Sequence, residues 1–227
     1  MSVSFDRAGV IAGFWAGLPV AVGVGGYGIA FGVIARQSGL SVAEATLMSA
    51  VVLAGASQLI AVELWGSPLP IVAILVTTLI VNLRYVLMGA SLRPWFRHLS
   101  GGRAYGSVFF ITDETWALSI ADLRSGAGRG AFLLGAGLAL WSLWVATTAV
   151  GAAVGSAIAD PERFGLDFVL TAIFIVLAVG LWRGREDITP WALAAALALV
   201  GVEFLPGNWY IILGGVAGSL AAVIRRD

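Results

Sequence analysis

Two carboxylates stand side by side, Asp113 and Glu114, inside the run Phe109-Phe110-Ile111-Thr112-Asp113-Glu114-Thr115-Trp116-Ala117-Leu118. Ionisable groups in so apolar a setting mark pathways, partners or cavities when the setting is a membrane. Scarce water disfavours the charged form of a carboxyl, which suits either residue to carry a proton. Either could equally hold an ammonium group, or close a structural ion pair with Arg84. Arg84 and Asn82 lie near the end of a second apolar run. At helical spacing Thr78, Asn82 and Tyr85 share one face, and Arg84 lies with Thr77 on another. A guanidinium is a planar fork shaped for a carboxylate, here Asp113, Glu114 or that of a substrate. The alternative is an arginine that snorkels to the interface. Gly55-Ala56-Ser57-Gln58 interrupts a third run, where Gln58 would read a polar substrate or bridge helices. Pro19, with Gly23, Gly25, Gly26, Gly28 and Gly32 behind it, marks a further irregular stretch. The candidate substrate and proton-pathway residues are therefore Asp113, Glu114, Arg84, Asn82, Gln58, Thr112 and Pro19.

The elements that position them follow from composition. The chain is 59% hydrophobic and 11% charged, against about 25% charged residues in a soluble domain. Its 227 residues could not hide that much apolar surface in a soluble fold, whereas lipid solvates it. A spanning helix takes roughly 20 apolar residues. The runs that qualify are residues 8–35, 43–65, 69–91, 105–121, 130–156, 164–182, 189–205 and 208–224. The expectation is an all-α integral membrane protein, a polytopic bundle of about six to eight transmembrane segments, some broken or re-entrant. It forms a single membrane domain over residues 1–227. The first run extends well past a signal core of about 7–15 residues and reads as a retained segment. Its glycines imply either close packing through pairs such as Gly13/Gly17 and Gly28/Gly32 or a broken, cavity-lining helix. Gly151/Gly155 and Gly214/Gly218 read as packing pairs. The last two runs, split by Leu205-Pro206-Gly207-Asn208, are two thin spans or one helical hairpin. Glu63, Asp167 and Glu203 sit near segment ends and read as interfacial. Trp141, Trp144, Trp182, Trp191 and Trp209 read as belt or packing aromatics.

Arginine favours the cytoplasmic side. Eight simple spans would leave Arg36, Arg93, Arg97, Arg103 and Arg163 outside, a weak bias. If the first and fourth runs each entered and returned on one side, only Arg163 among the loop arginines would lie outside, beside Asp160 and Glu162. That arrangement is the working expectation for the re-entrant elements.

Several functions are excluded by what is missing. There is no Walker loop, no GxSxG elbow and no metal-ligand cluster; His98 is the sole histidine and cysteine is absent. An ATP-driven pump, a serine hydrolase and a metalloenzyme are therefore not expected, nor is a cofactor. A net charge of zero argues against nucleic acid as a partner. These absences argue against those three classes; a carrier or channel for a small solute stays open, as does an intramembrane enzyme, for which Asp113 and Glu114 alone would qualify as a catalytic pair.

The order of the motifs carries a resemblance. Pro19 with the glycines to Phe31-Gly32, then Gly55-Ala56-Ser57-Gln58, Asn82-Leu83-Arg84-Tyr85 and Thr112-Asp113-Glu114, resembles the AzlC family, the large subunit of branched-chain amino acid exporters. The likeness covers roughly residues 8–225; relatives often carry His where this chain has Tyr85. The resemblance implies export of small neutral amino acids: valine, leucine, isoleucine and often methionine. It also implies a proton-motive-force drive, a small AzlD-type membrane subunit as partner, and residence in the cytoplasmic membrane. Broken half-helix ends or Arg84 would meet the substrate carboxylate; Asp113 or Glu114 would meet its ammonium or carry the proton.

Overall fold

A computed structural model describes residues 3–158, 184–205 and 209–224, together with Phe168, Ile175, Val179 and Trp182. Asp160, Glu162, Arg163, Asp167, most of run 164–182 and the Pro206-Gly207-Asn208 break lie outside the described residues. The helices are α1 (Arg7–Gln37), α2 (Val42–Val52), α3 (Gly55–Glu63), α4 (Ile71–Phe96), α5 (Gly101–Val108), α6 (Asp113–Arg124), α7 (Phe132–Gly155), α8 (Ile188–Phe204) and α9 (Trp209–Ile224). Four helical stretches among the described residues are long and apolar enough to cross a membrane: Arg7–Gln37, Ile71–Phe96, Phe132–Gly155 and Arg185–Phe204. The protein is an all-α integral membrane protein.

α1 and α7 form the spine. Gly9 faces Ala131, Gly17 faces Ala136, Gly28 faces Thr147 and Gly32 faces Ala152, so the two helices run parallel. A Cβ at Gly13 would overlap the Phe132 carbonyl, and one at Gly135 that of Val10. Small residues are what permit this backbone-to-backbone approach. Glycine packing thus accounts for much of the first run, and it corrects the broken-helix expectation. Pro19 is taken up inside one continuous helix of 31 residues. The ends of the spine are tied as well. Ser4 exchanges backbone hydrogen bonds with Gly128 and Gly130 at 2.9 and 2.7 Å, and Gln37 Nε2 donates to the Ile158 carbonyl at 3.3 Å. One end of the bundle therefore holds Arg7 and Arg129, the other Gln37 and Ser156.

The second run is where the chain turns back. α2 leaves the Gln37 end and stops at Leu53, which takes a left-handed conformation (φ 44°). A bulky residue seldom adopts this backbone. Here Leu53 is held by burial. α3 then restarts, and its Leu59 and Val62 join Phe31, Ala35 and Leu40 in one apolar cluster. α4 ends at the opposite pole, since Leu92 and Phe96 pack with Leu123 and Leu133. Its 26 residues span about 39 Å, whereas connection 64–70 reaches at most about 25 Å. α3 must accordingly return to the Gln37 end. The fourth run does the same from the other pole. α5 climbs from the Arg7 end, the chain breaks over residues 109–112, and α6 descends beside α4, with Trp116 Nε1 donating to Ser91 Oγ at 2.8 Å. The re-entrant expectation thus holds for the fourth run and moves from the first run to the second.

A long helix followed by a broken hairpin therefore occurs twice, α1 with α2/α3 and α4 with α5/α6, in opposite orientations. Inverted repeats of this kind bring discontinuous helices to the membrane midplane. Among the described residues the Arg7 end also gathers Arg93, Arg97, Arg103, Arg124 and Arg129, against Arg36 at the Gln37 end, the bias of a cytoplasmic face. α8 and α9 pack on each other, where Gly214 and Gly218 meet Ala194 and Pro190.

Candidate functional site

The two breaks meet at a cavity of about 320 Å³, inside the roughly 300–1,000 Å³ range of small-ligand pockets. Gly23, Val24 and Tyr27 enter from α1, Leu53, Gly55 and Ala56 from the first hairpin, and Arg84 and Tyr85 from α4. Thr112, Asp113 and Glu114 enter from the second hairpin, and Leu140 and Trp144 from α7. Most of this wall is apolar. Its polar groups converge from facing elements.

α6 begins at the cavity because Thr112 stops the preceding chain. Its side chain accepts from the Thr115 N–H at 3.3 Å, and its own N–H donates to Thr115 Oγ1 at 2.7 Å, a reciprocal cap. Asp113 and Glu114 occupy the first turn, where carboxylates complement the exposed N–H groups. Arg84 Nη1 lies 2.9 Å from Asp113 Oδ2, each side chain about 30% exposed. Arg84 also stands over the Tyr85 ring at 5.2 Å. The sequence left open which carboxylate Arg84 would meet; in the structure it is Asp113. Glu114 lines the same cavity and forms no ion pair among the described residues.

α3 starts without such provision. Its capping position is Ala54, which offers no side-chain acceptor, and Gly55 and Ala56 open the helix onto the cavity. A Cβ at Gly55 would lie 2.7 Å from Tyr27 Cε1 and 2.8 Å from its hydroxyl oxygen, so a larger residue there has to displace the Tyr27 ring. The break is secured from behind by Gln58. Its Oε1 accepts from the Ala54 N–H at 3.2 Å and from Trp144 Nε1 at 3.3 Å, and its Nε2 donates to Ser49 Oγ at 3.1 Å. Ser49 in turn shares a hydrogen bond of 2.9 Å with Thr148. Asn82 Nδ2 reaches Ser57 Oγ at 3.3 Å and ties α4 to the same turn. Gln58 is thus a bridge between helices and does not line the cavity.

Of the residues named from sequence, Arg84, Thr112, Asp113 and Glu114 come together at the cavity. Asn82 and Gln58 stand directly behind its wall. Pro19 is exposed on α1, one turn before Gly23, and is not among the lining residues. Sequence reasoning missed Tyr27, whose hydroxyl oxygen is buried without a partner among the described residues. A phenol inside the glycine cluster Gly25-Gly26-Tyr27-Gly28 was the available signal. Trp144 is both a packing aromatic, stacked on Phe31 at 5.8 Å, and part of the cavity wall.

The fold and site together define a polytopic helical membrane protein with a cavity between two opposed half-helices. The AzlC protein family matches residues 19–158, and the chain belongs to that family. It is 30% identical to the inner membrane protein YgaZ of Escherichia coli K12, over 92% of this chain and 87% of that protein. It is 28% identical to the branched-chain amino acid transport protein AzlC of Bacillus subtilis, over 86% of this chain and 76% of the relative. An "uncharacterized membrane protein" of Archaeoglobus fulgidus is 32% identical over 84% and 83% of the two chains. No solved structure matches.

Proposed function

We propose that this chain is the large subunit of a secondary transporter that exports branched-chain amino acids, and methionine-like ones, across the cytoplasmic membrane. The proton-motive force drives it, and a small AzlD-type membrane subunit is its partner. The reading rests on family membership, on the name of the Bacillus subtilis relative, and above all on one observation. An apolar cavity carries an uncapped helix N-terminus from one hairpin and, from the other, the carboxylate Glu114, unpaired among the described residues.

A neutral amino acid needs three things: an anion site, a cation site and an apolar pocket. Backbone N–H groups at a helix N-terminus attract a carboxylate, and Gly55 and Ala56 provide them. Glu114 takes the ammonium. Val24, Leu53, Leu140 and Trp144 surround the aliphatic chain. In this reading the Arg84–Asp113 pair is the coupling device. A proton on Asp113 dissolves the ion pair and frees Arg84 and the start of α6 to shift.

The test is efflux from cells without their own exporters, preloaded with isoleucine, leucine, valine or methionine as dipeptides. Faster export when this chain and a neighbouring small membrane protein are both present is the expected result. No acceleration with both proteins in the membrane would move the assignment to a carrier or channel for another small solute.

A further inference from the structure

The Arg7 end of the bundle carries charge that the cavity does not use. Between Glu63 and Asp113 the chain has no carboxylate, and in that stretch Arg93, Arg97 and Arg103 cluster at the end of α4 and the start of α5. Arg93 and Arg97 are one helical turn apart on the same face, and both are exposed. A concavity of about 380 Å³ lies between them, lined also by Ala90, Pro94 and Trp95. None of the three arginines forms an ion pair among the described residues, whereas Arg129 at the same end is matched by Asp122. Arg97 Nε donates to His98 Nε2 at 3.0 Å, and Arg103 sits 5.3 Å from the Phe5 ring centroid; neither contact neutralises charge. Like charges one turn apart repel. An anion between them would remove that cost.

What adjoins the concavity decides the kind of anion. Leu83, Leu87, Ala90 and Pro94 follow one stripe of α4 at helical spacing. Leu83 and Leu87 are 52% and 74% exposed, as a lipid-facing stripe should be. Trp95 stands at the same level as the arginines, where amphipathic rings mark the membrane interface. A basic concavity that runs into an apolar stripe suits an amphiphile with an anionic head and acyl tails. We propose that the Arg93–Arg97 concavity binds the phosphodiester headgroup of an anionic phospholipid, its chains laid along Leu83, Leu87 and Ala90. Free phosphate shares the headgroup chemistry and gains nothing from the stripe.

The test uses the purified full chain in mixed phosphatidylcholine and phosphatidylglycerol, with bound lipid read by native mass spectrometry. Wild type should enrich phosphatidylglycerol, and R93Q/R97Q should lose roughly thirtyfold of that enrichment, the summed attraction of two arginines at a membrane surface. R93K/R97K should keep most of it, and R36Q, at the opposite end, all of it. On the wild-type protein itself, added salt should weaken the enrichment. Enrichment unchanged in R93Q/R97Q, or indifferent to salt, would overturn the proposal. So would displacement of the lipid by inorganic phosphate alone, which would make this a simple anion site.

Discussion

Hairpins α2/α3 and α5/α6 enter from opposite ends and each delivers a helix N-terminus to the cavity, but the two termini are finished differently. At α6 the protein supplies everything: a threonine cap, two carboxylates in the first turn and an arginine from α4 on one of them. At α3 no side chain among the described residues accepts from the Gly55 and Ala56 N–H groups, and Gln58, accepting from the Ala54 N–H, braces the break from the side away from the cavity. The difference shows how one topology used twice yields opposite polarity. In the proposed function, one terminus is filled by the chain's own anions and the other receives the substrate's carboxylate. On that proposal a zwitterion would sit between them in one orientation.

The largest expected effect lies on the charged hairpin. Asp113→Asn cannot cycle a proton, so uphill export should disappear while exchange of amino acid across the membrane survives. Export measured with and without an imposed pH gradient, alongside counterflow, separates the two. Loss of both would make the Arg84–Asp113 pair a structural clamp. On the bare hairpin, Gly55→Ala forces a methyl into the Tyr27 ring. Efflux should fall roughly fivefold or more, in line with the about 1–3 kcal/mol that an overpacked contact costs. Gly26→Ala is the control, because a Cβ there meets nothing within 4 Å and Gly26 does not line the cavity; it should transport normally.

How far these differences could be read beforehand depends on what each residue signals. Charges in an apolar run are conspicuous, so Arg84, Asp113, Glu114 and the cap Thr112 were legible. So was the return of the fourth run, since no uninterrupted spanning helix accommodates Thr112-Asp113-Glu114. The first run misled because glycine serves two purposes. Gly13, Gly17, Gly28 and Gly32 are there for a neighbour, α7, and the sequence of α1 does not name that neighbour. The second run showed its interruption at Gly55-Ala56-Ser57-Gln58 but hid, for the opposite reason, that the chain turns back there. Leu53 in a left-handed conformation has no compositional mark, and Gln58 looks alike whether it reads substrate or ties helices. The inverted repeat escaped notice because the two halves share topology and not residue types.

Smaller effects test the bracing. Gln58→Leu strands the Ala54 N–H and the Trp144 indole N–H, and thermal unfolding should report a loss of about 1–3 kcal/mol, the usual cost of a buried unpaired donor. Smallest is the cap of α1. The Gly9 N–H, donating to Asp6 at 2.8 Å, and the Ser4 hydroxyl hold the Asp6 carboxyl below the ordinary carboxylate range. Its stabilisation is complete above that ordinary range and fades as pH falls through the lower folded value. Asp6→Ala should thus lower the unfolding midpoint slightly at neutral pH and leave it unchanged in strong acid.

The central claim, that bare N–H groups and Glu114 hold opposite ends of one amino acid, is tested most directly by binding to the purified protein. Leucine is compared with leucinamide, which lacks the carboxylate, and with isocaproate, which lacks the ammonium. Each analogue should bind at least roughly tenfold more weakly than leucine, since each loses hydrogen bonds to a charged group worth about 1.5–3 kcal/mol. Leucinamide binding as tightly as leucine would contradict the account, because the start of α3 would then hold no anion.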